Sequence, residues 1–473
     1  MRTSPAGRPY EELSYWLESA GPLTPRAPLG GSTRADVAIL GAGFTGLWTA
    51  YYLLRRDARL RVIVLEREVA GFGASGRNGG WCTPDLNAGP AALTRHFGAA
   101  QAAAVQRAMY ESVDEVGRAA AAEGIDAEYE KAGRLLVARG PHQVPALEAA
   151  HREYVEAGFG DRHQALDAAA CAERVRVARV TAGLFSPDTA VVHPGKLVRG
   201  LAGAVERMGG VIHEQTEVTA FETGARPRLL TTTGGPGAEV RAEVRADVLV
   251  LAGEAYLTQL RQLHRRLLPI YSLIVMTEPL SARRLESVGW SRRLCLASMR
   301  LTIDYLSRTR DGRVLFGGRG APYNFGSAIR PGTERHQPTH RMLRAMFQDW
   351  FPGLAGVRFT HAWGGVLGMP RDWIPSFSYA PSEGLAMASG YTGHGVATAN
   401  LAGRTLADLI TGATSELTGL ALVGHRSRSW EPEPLRWLGA RYVQAGLVRA
   451  DARAERSGRP PSGKSIPERL ASH

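Results

Sequence analysis

A glycine-rich turn between two apolar runs near the N-terminus is the feature that most constrains the fold. Residues 36–40 form an apolar run that predicts a buried strand, and residues 41–46 read Gly-Ala-Gly-Phe-Thr-Gly. Residues 44–56 have helical apolar spacing, and residues 61–66 form a second apolar run. Strand, helix and strand in this order predict a βαβ unit, in which a GxGxxG turn is typical of dinucleotide binding.

Each glycine of this turn has a predicted role. Gly41 permits the tight turn out of the strand, Gly43 lets the backbone approach a pyrophosphate, and Gly46 lets the helix pack closely on the strand. The phosphates then lie at the positive end of the helix dipole. Glu66 ends the second strand, where a carboxylate hydrogen-bonds a ribose hydroxyl and repels a 2′-phosphate, so NADP is disfavoured.

Two further glycine-rich segments favour FAD over NAD. Residues 71–80 read Gly-Phe-Gly-Ala-Ser-Gly-Arg-Asn-Gly-Gly, and glycines of this kind let a backbone lie against a flat ring. Residues 389–395 read Ser-Gly-Tyr-Thr-Gly-His-Gly and open another helix, whose N-terminus would stabilise the negative charge of a reduced flavin. His394 adds charge, acts as a base, or only shapes the turn. Arg77 and Asn78 serve a cofactor or an acidic substrate, or face solvent.

The composition is that of a globular chain of two or three domains. The 473 residues are 44% hydrophobic and 22% charged, with no apolar stretch long enough to span a membrane and no pattern of a secretory signal. The three cysteines, Cys82, Cys171 and Cys295, are too few and too dispersed for a disulfide framework or a zinc site. We therefore expect a cytoplasmic protein without a metal centre.

The formal net charge of +12 raises the question of nucleic-acid binding. Nearly all of the basic residues are arginines, since the only lysines are Lys131, Lys196 and Lys464. They are scattered and form no basic run interleaved with aromatic residues. We therefore expect no nucleic-acid partner, and the excess charge favours anionic ligands such as a phosphate-bearing cofactor.

The rest of the chain is predicted to combine helices with strands of two sheets. Periodicity predicts helices over residues 91–123, 143–179 and 395–410, and strands over residues 131–139, 211–221, 246–251, 268–279, 302–318 and 385–388. Within residues 302–318, Asp311-Gly312 predicts a hairpin turn, because Asp-Gly accepts a positive φ.

These motifs resemble the FAD-dependent glycine/D-amino acid oxidase superfamily and, within it, are most similar to the γ-glutamylputrescine oxidase-like subgroup. The matching stretches, in the family's order, are SYWL at 14–17, ILGAGFTGLWTAYYL at 39–53, GFGASGRNGGW at 71–81, DTAVVHPGKLVRGL at 188–201, DVLVLAGEAYL at 247–257, DGRVLFGG at 311–318, HAWGGVLGMPRDWIP at 361–375 and GYTGHGVATANLAGRTLADLI at 390–410. One departure is Glu254, where the subgroup often has Asn.

The resemblance implies an α/β fold. It consists of a Rossmann-like FAD-binding domain of the GR2/DAO type and a second, α+β substrate domain on a mixed or antiparallel sheet. The FAD-binding domain is expected at 35–90, 180–262 and 360–420, and the substrate domain at 91–179 and 263–359. The remaining regions are an N-terminal extension at 1–34, a C-terminal helical segment at 421–454 and a disordered tail at 455–473.

The resemblance also implies a non-covalent FAD and roles for particular residues. Gly41, Gly43, Thr45 and Gly46 hold the pyrophosphate and Glu66 the ribose. Ser75, Gly79 and Gly80 line the flavin, and Val218 contacts the adenine through its backbone. Gly393, His394 and Gly395 cover the flavin pyrimidine edge. The predicted cofactor set is completed by Phe44, Arg67, Gly73, Ala74, Arg77, Asn78, Ala252, Gly253 and Gly390.

The implied activity is oxidation of the C–N bond of a primary or secondary amine or an amino acid. A hydride passes to flavin N5, the imine is hydrolysed, and oxygen is the expected acceptor, giving hydrogen peroxide. Two alternatives remain open: a dehydrogenase of the same fold that uses a quinone or carrier, and a non-catalytic flavoprotein that binds a partner. Besides His394, the predicted substrate-site residues are Tyr271, Asp304, Tyr305, Arg308 and Trp363. Arg308 is a candidate to bind a substrate carboxylate.

Overall fold

The computed structural model of the chain describes residues 7–234 and 239–471. Its strands are β1 (Thr33–Arg34), β2 (Val37–Leu40), β3 (Val62–Leu65), β4 (Trp81–Cys82), β5 (Arg134–Arg139), β6 (Gln164–Asp167), β7 (Val180–Ser186), β8 (Ala190–Val191), β9 (Val211–His213), β10 (Thr216–Glu222), β11 (Arg228–Thr233), β12 (Val240–Arg245), β13 (Val248–Leu251), β14 (Leu268–Thr277), β15 (Cys295–Ser298), β16 (Asp304–Arg308), β17 (Val314–Arg319), β18 (Phe359–Met369), β19 (Ser376–Ala380) and β20 (Leu385–Ser389). Its helices are α1 (Tyr15–Ser19), α2 (Phe44–Arg56), α3 (Gly89–Phe97), α4 (Ala99–Ala122), α5 (Val144–Glu156), α6 (Ala168–Arg174), α7 (Pro194–Arg207), α8 (Ala282–Ser287), α9 (Gln337–Trp350), α10 (Gly395–Thr411), α11 (Leu435–Ser457) and α12 (Ile466–Ala471).

The predicted βαβ unit lies at the centre of a six-stranded sheet. The strand order is β19-β20-β13-β2-β3-β9, and all neighbours pair in parallel except β19 with β20. The carboxyl ends of β2, β3, β13 and β20 therefore meet at one edge. Since β3 and β13 flank β2 on opposite sides, the crevice beside β2 is where open α/β sheets bind ligands.

Helices α2 and α10 pack against each other beside this sheet. Strands β2, β3 and β13 are runs of Val, Ile, Leu and Ala that are almost entirely buried, as expected for parallel strands covered on both faces. Trp48 of α2 approaches Gly403 of α10 so closely that a Cβ on Gly403 would lie 2.5 Å from the Trp48 Cβ. This approach holds the N-termini of both helices at the same edge of the sheet.

The second large sheet is mixed, as predicted. Its order is β18-β14-β17-β16-β15-β5-β7-β6, and every pair is antiparallel except β15 with β5. Strands β7 and β18 lie in this sheet, although the sequence assigned residues 180–186 and 360–369 to the FAD-binding domain. Each of these strands comes just before the chain leaves the eight-stranded sheet, and only strand pairing reveals where such a crossing occurs.

Residues 143–179 are not the continuous helix that the sequence predicts. Helix α5 ends at Glu156, strand β6 pairs with β7, and α6 begins after Asp167, whose side chain accepts a hydrogen bond from the Ala170 N–H. The alanine-rich composition hides β6, because its four residues are mostly exposed and lack an apolar alternation.

The predicted disordered tail is also partly helical. Helix α11 continues to Ser457, and α12 packs on it where Gly446 faces Pro467. The Glu468 carboxylate accepts hydrogen bonds from the Gly463 and Ser465 N–H groups. Proline and serine here start a helix, a role that composition alone does not distinguish from disorder. The predicted regions at 1–34, 180–262 and 455–473 also contain residues 1–6, 235–238 and 472–473, which lie outside the described residues.

No helix within residues 7–234 and 239–471 combines the length and apolar character needed to cross a bilayer. The three cysteines are buried and free of disulfides.

Candidate active site

A cavity of about 500 Å³ extends from the carboxyl edge of the parallel sheet to one face of the mixed sheet. This is within the size range of small-molecule and cofactor sites, roughly 300–1,000 Å³. Its lining comes from the loops after β2, β3, β13 and β20, from residues 72–87, and from β5, β14, β16, β17 and β18. Segments that are distant in the chain thus form one continuous wall.

The loop after β2 forms a backbone cradle at one end of the cavity. Gly41 has a φ of 101°, and a Cβ there would lie 2.8 Å from the Ala252 carbonyl oxygen. Gly43 is the N-cap residue of α2 and has no side chain to cap its first turn. The Phe44 N–H donates a hydrogen bond of 2.9 Å to Ser75 Oγ. Because Gly41, Gly43, Phe44 and Thr45 all line the cavity, the start of this helix opens onto it, and a helix N-terminus in such a position suits an anion.

Gly46 lies beneath this cradle and not on the cavity wall. A Cβ on Gly46 would be 2.0 Å from the Gly41 carbonyl oxygen and 3.1 Å from Ile39 Cγ2. Its role is therefore the close packing of helix on strand, as the spacing predicts, and not the contact with the pyrophosphate that the resemblance implies.

Glu66, Arg67 and Val218 line the cavity beyond this cradle. The Glu66 carboxylate accepts hydrogen bonds from the N–H groups of Ala42, at 2.9 Å, and Glu68, at 3.0 Å. Burial raises the pKa of Glu66 to about 7. Arg67 pairs with Glu68 at 3.0 Å. This end therefore holds carboxylate and backbone groups suited to a ribose.

Residues 73–79 form the next part of the wall. Gly73, Ala74, Ser75, Arg77, Asn78 and Gly79 line the cavity, whereas Gly80 does not. Asn78 holds the loop together, because its side chain donates to the Ala74 and Ser75 carbonyls, each at 3.1 Å. The side-chain oxygen of Asn78, Oδ1, accepts from the Gly80 N–H at 2.8 Å.

Gly80 and Arg77 serve the structure of this loop more than the cavity. A Cβ on Gly80 would lie 2.8 Å from the Val192 carbonyl oxygen. Arg77 lies on the wall but forms an ion pair with Glu334 and covers the Phe72 ring at 4.3 Å. The alternative of a solvated Arg77 is therefore wrong. Its Nε and Nη2 atoms are buried without a partner among the described residues, so a contact with a cofactor or an acidic substrate stays a prediction.

The loop before α10 is fixed by a buried carboxyl group. Glu254, after β13, accepts hydrogen bonds from the N–H groups of Tyr391, at 3.0 Å, and Gly390, at 3.3 Å. Burial raises the pKa of Glu254 to about 7, and its second oxygen, Oε2, is buried with no partner among the described residues. Ala252, Gly253 and Gly393 line the cavity, whereas Gly390 lies behind the wall against Pro370.

His394 lines the cavity at the start of α10. Burial is the main reason that its pKa is lowered, so the ring is neutral near pH 7. One ring nitrogen bonds to the Asp85 backbone, and Nδ1 is buried without a partner in the described part of the chain. An unpaired buried nitrogen in a cavity wall is expected to bond to a ligand.

One face of the mixed sheet covers the other end of the cavity. Strand pairing sets Ser272 opposite Arg319 and Tyr305 opposite Gly317, so all four residues share that face. The Tyr305 and Ser272 hydroxyl groups are 2.8 Å apart. Arg134 and Leu136 of β5 also line the cavity.

Arg134 belongs to a buried polar network behind His394. It forms an ion pair with Asp85, whose other oxygen accepts a hydrogen bond of 2.7 Å from the Tyr154 hydroxyl. Thr83 also donates to Asp85, at 2.5 Å. Because Asp85 is surrounded by donors and a cation, its pKa is lowered despite its burial, and the charge of Arg134 is balanced.

Three predicted substrate-site residues lie away from the cavity. Tyr271 is buried in the core, and its hydroxyl accepts from the Arg330 N–H at 3.0 Å. Arg308 donates to the Ser291 carbonyl at 2.9 Å. Trp363 is buried and donates to the Arg77 carbonyl at 2.9 Å.

Asp304 borders the cavity, and its carboxylate oxygens accept from the Ser298 N–H and hydroxyl, each at 2.8 Å. Among the substrate-site predictions, Tyr305 and His394 are the two whose side chains take part in the wall described above.

The sequence reasoning missed several wall residues, namely Trp81, Asn87, Arg134, Ser272, Arg319, Leu367 and Tyr391. Arg319 carried the clearest signal. It ends an apolar run, Val314 to Gly318, where a charged side chain is unusual unless it has a ligand or a partner. Glu254 was noted as a departure from the subgroup, but its contact with the loop before α10 has no local sequence signal.

Comparisons with known proteins agree with this architecture. The chain is 29% identical over 415 residues to the γ-glutamylputrescine oxidoreductase of Escherichia coli, covering 87% of this chain and 92% of that protein. It is 31% identical over 414 residues to a probable oxidoreductase, OrdL, of Rhizobium meliloti, covering 85% and 89%. The crystal structure of glycine oxidase from Geobacillus kaustophilus superimposes with a TM-score of 0.67 at 20% identity, covering 83% of this chain and 100% of that one. The family model described as DAO, FAD dependent oxidoreductase, matches residues 36–409, and the chain therefore belongs to the DAO family of FAD-dependent oxidoreductases.

Proposed function

We propose that the chain binds FAD non-covalently and oxidises the C–N bond of a primary or secondary amine or an amino acid. We further propose that oxygen is the acceptor and that hydrogen peroxide is released. The observation that carries this proposal is the single cavity that joins the open start of α2 to the polar face of the mixed sheet. A dinucleotide whose diphosphate lies at the start of α2 would place its reactive ring toward the mixed sheet, where a small substrate has room.

The wall fits FAD in two respects. Gly41 and Gly43 leave a cradle that a Cβ would fill, which suits a diphosphate. Glu254 Oε2 is a buried polar atom without a partner among the described residues, and the polar edge of a flavin can supply one. We assign the FAD-binding domain to the six-stranded sheet with its helices, and the substrate domain to the eight-stranded sheet.

Non-covalent attachment is supported by the positions of the cysteines. Cys82, Cys171 and Cys295 are buried, and none of them lines the cavity in the described ranges. Burial raises the pKa of the Cys171 thiol to about 11 and those of the other two still further, so none is a ready nucleophile.

The residues of the cavity can prepare an amine for oxidation. FAD, when bound, supplies the acceptor for the hydride that leaves the carbon next to nitrogen. The amine must be neutral for this step. His394 is neutral and has a free buried Nδ1, so it is placed to accept the proton of a substrate ammonium. The N-terminus of α10, which begins at Gly395, stabilises negative charge nearby. Water then hydrolyses the imine.

The similar proteins support the substrate class. One has the name γ-glutamylputrescine oxidoreductase, and structures with this fold include glycine oxidase and the L-amino acid deaminase of Proteus vulgaris. All three names describe chemistry at nitrogen-bearing carbon.

Anaerobic reduction of the purified protein tests the proposal. The flavin absorbance is followed while polyamines, γ-glutamyl amines, N-methyl amino acids and D-amino acids are added in turn. We expect at least one class to bleach the flavin, and a His394→Gln variant to be reduced more slowly, while His425→Gln, outside the cavity, behaves like the wild type. A yellow protein that no amine reduces would support the non-catalytic alternative.

The acceptor is tested separately. Peroxide formed per amine consumed is measured in air, with and without an artificial electron acceptor. A stoichiometric yield of peroxide supports the oxidase. Turnover that requires the added acceptor supports the dehydrogenase instead.

A further inference from the structure

The exposed apolar side chains are concentrated on the last two helices of the protein. Eleven large hydrophobic residues are exposed in the described part of the chain, and six of them belong to α11 or α12. The other five are dispersed over the rest of the fold. Single exposed hydrophobic residues are normal, whereas a cluster indicates a surface that binds a partner. The six are Leu435, Leu438, Tyr442, Val448, Ile466 and Leu470.

Helical spacing places the first three of these residues on one stripe. Leu435, Leu438 and Tyr442 follow one another at intervals of three and four residues, so their side chains lie on the same side of α11. Their exposed fractions are 62%, 53% and 50%. Helix α12 packs on α11 and exposes Ile466 and Leu470, which share a face because they are one turn apart. The two neighbouring helices thus both present apolar surface.

The opposite side of α11 is attached to the fold. Arg436, Asp451 and Ala454 are the buried residues of this helix. The Asp451 carboxylate accepts hydrogen bonds from the N–H groups of Leu301 and Thr302, each at 3.0 Å. The stripe therefore faces away from the body of the protein.

Exposed arginines continue the stripe toward the end of α11. Arg449 and Arg453 lie about two and three helical turns beyond the apolar residues, on the same side, and Arg456 lies beside them. The ion pairs of the described residues include none of these three arginines. Glu455, the exposed carboxylate of α11, is paired with Arg300 at 2.7 Å. We call this surface the C-terminal patch, which comprises Leu435, Leu438, Tyr442, Arg449, Arg453, Arg456, Ile466 and Leu470.

A second copy of the chain is a poor match for the C-terminal patch. A two-fold interface places the same surface of each copy against the other. If the two α11 helices met antiparallel, the arginines of each would cover the leucines of the other, and if they met parallel, arginines would face arginines. Both arrangements bury cations without a carboxylate, which is strongly unfavourable. A nucleic acid would neutralise the arginines, but its phosphates offer nothing to the leucines.

A lipid surface with anionic headgroups matches both parts of the patch. Its phosphate groups neutralise the arginines, and the boundary between headgroups and acyl chains receives the apolar side chains. Tyr442 suits this boundary, because its ring is apolar and its hydroxyl group is polar. A helix that combines arginines with exposed apolar residues is typical of proteins that lie on a membrane.

We propose that the C-terminal patch docks the protein on an anionic lipid surface, with α11 and α12 lying in the plane of the headgroups. The protein is held at the surface without crossing the bilayer. None of the patch residues lines the cavity, so this inference goes beyond the proposed function and does not depend on it.

Vesicle flotation of the purified protein tests this inference. The bound fraction is measured with vesicles of phosphatidylcholine alone and with vesicles of equal parts phosphatidylcholine and phosphatidylglycerol. We expect the wild type to bind the anionic vesicles at least about tenfold more strongly, because each arginine near an anionic surface adds to the attraction. This preference should decrease as salt is added. Ultracentrifugation without lipid gives the oligomeric state of the same samples.

Charge-reversal variants separate the patch from the rest of the basic surface. Arg449→Glu combined with Arg453→Glu should lower binding to the anionic vesicles at least about tenfold. Arg107→Glu combined with Arg152→Glu is the matched control, because it changes the net charge equally at exposed arginines of α4 and α5. Arg449→Lys combined with Arg453→Lys keeps the charge and should retain the binding, whereas a protein partner that recognises guanidinium groups would not tolerate it.

Apolar variants test the other part of the patch. Leu438→Ser should lower binding to the anionic vesicles about threefold or more, since less apolar surface enters the boundary. Val155→Ser is the matched control, because Val155 lies on α5 and is exposed to a similar extent, 54%. All of the replaced side chains are exposed, so their replacement leaves the fold intact.

Each outcome supports or overturns the inference. No binding by the wild type, equal binding to the two kinds of vesicle, or an equal loss in the α4–α5 control overturns it. A dimeric wild type that Leu438→Ser converts into monomers assigns the patch to a second copy and also overturns it. A protein that docks on anionic vesicles but is reduced by no amine refutes the proposed function alone. Conversely, a protein that amines reduce but that floats with neither kind of vesicle refutes the docking surface alone.

Discussion

Replacement of Gly41 by alanine should weaken FAD binding and lower the free energy of unfolding by amounts that the structure allows us to estimate. Gly41 has a φ of 101°, which residues with a Cβ rarely adopt. The left-handed backbone costs roughly 1–2 kcal/mol for a non-glycine residue. The added Cβ would also lie 2.8 Å from the Ala252 carbonyl oxygen, a backbone atom of the neighbouring strand end. Overpacking of this kind costs about 1–3 kcal/mol.

Gly412→Ala is the matched control for this prediction. Gly412 follows α10 with a φ of 70°, and nothing lies within 4 Å of its added Cβ. It therefore shares the backbone cost of Gly41 but not the steric conflict. We expect Gly412→Ala to lower the free energy of unfolding by about 1 kcal/mol and Gly41→Ala by about 2–5 kcal/mol.

Urea unfolding of the FAD-free proteins and FAD titration by fluorescence quenching measure the two effects. To relieve the contact between the added Cβ and the Ala252 carbonyl oxygen, the backbone after β2 must move away from Ala252. This movement displaces the N–H groups of the cradle. The FAD dissociation constant of Gly41→Ala should therefore rise at least about tenfold, the equivalent of 1.4 kcal/mol. That of Gly412→Ala should stay at the wild-type value. Equal stability and equal FAD affinity of the two variants would refute the reasoning.

Three further predictions concern a carboxyl group and two contacts. Burial raises the pKa of Glu254 to about 7, so the folded protein retains a proton that the unfolded chain has already lost between about pH 5 and pH 7. The free energy of unfolding of the FAD-free protein therefore decreases as the pH rises through this window, and Glu254→Gln should reduce the decrease by about 2 kcal/mol. Replacement of the exposed Glu217 by glutamine should leave this decrease unchanged. A Glu254→Gln variant whose free energy of unfolding falls with pH as steeply as that of the wild type contradicts the prediction. Gly317→Ala would place a Cβ 2.1 Å from Tyr305 Cζ, so kcat/KM for the best amine should fall about tenfold or more at unchanged FAD content. Gly332→Ala, with nothing within 4 Å, is its control, and equal kinetics of the two would show that the Tyr305 position is unimportant. Gly403→Ala would place a Cβ 2.5 Å from the Trp48 Cβ and should lower the free energy of unfolding by about 1–3 kcal/mol. Gly419→Ala meets no atom and should change it little, and denaturant titration that finds both unchanged would contradict the packing argument.

The sequence predicted the parallel sheet well because its determinants are local. Residues 36–66 carry the strand, turn, helix and strand in one continuous segment, and β2, α2 and β3 follow within a residue of the predicted bounds. The glycine-rich segments at residues 71–80 and 389–395 are likewise recognised from the sequence without tertiary information. Their assignment to FAD contacts stays a prediction until a binding experiment tests it.

The end of the cavity at the mixed sheet was predicted less well because it depends on strand register. Tyr271 and Ser272 are adjacent in β14 and point to opposite faces, so a choice between them needs the pairing partner. Ser272 faces the cavity and Tyr271 faces the core. Trp363 shares the cavity face, since it pairs with Ile274, but it lies beyond the edge of the cavity and packs on Trp16. Register and distance along a strand are tertiary properties that composition does not record.

The order of strands in the parallel sheet has a consequence for synthesis. β2 leaves the ribosome early, whereas its neighbour β13 follows only after about half of the 473 residues have been made, and β20 follows much later. Until then the apolar edge of β2 that β13 will cover is unpaired and open to adhesion between nascent chains. Chains truncated just before Leu385 contain β13 but lack β20 and α10, which leaves the edge of β13 unpaired, so we expect them to aggregate and not to accumulate as a smaller folded unit.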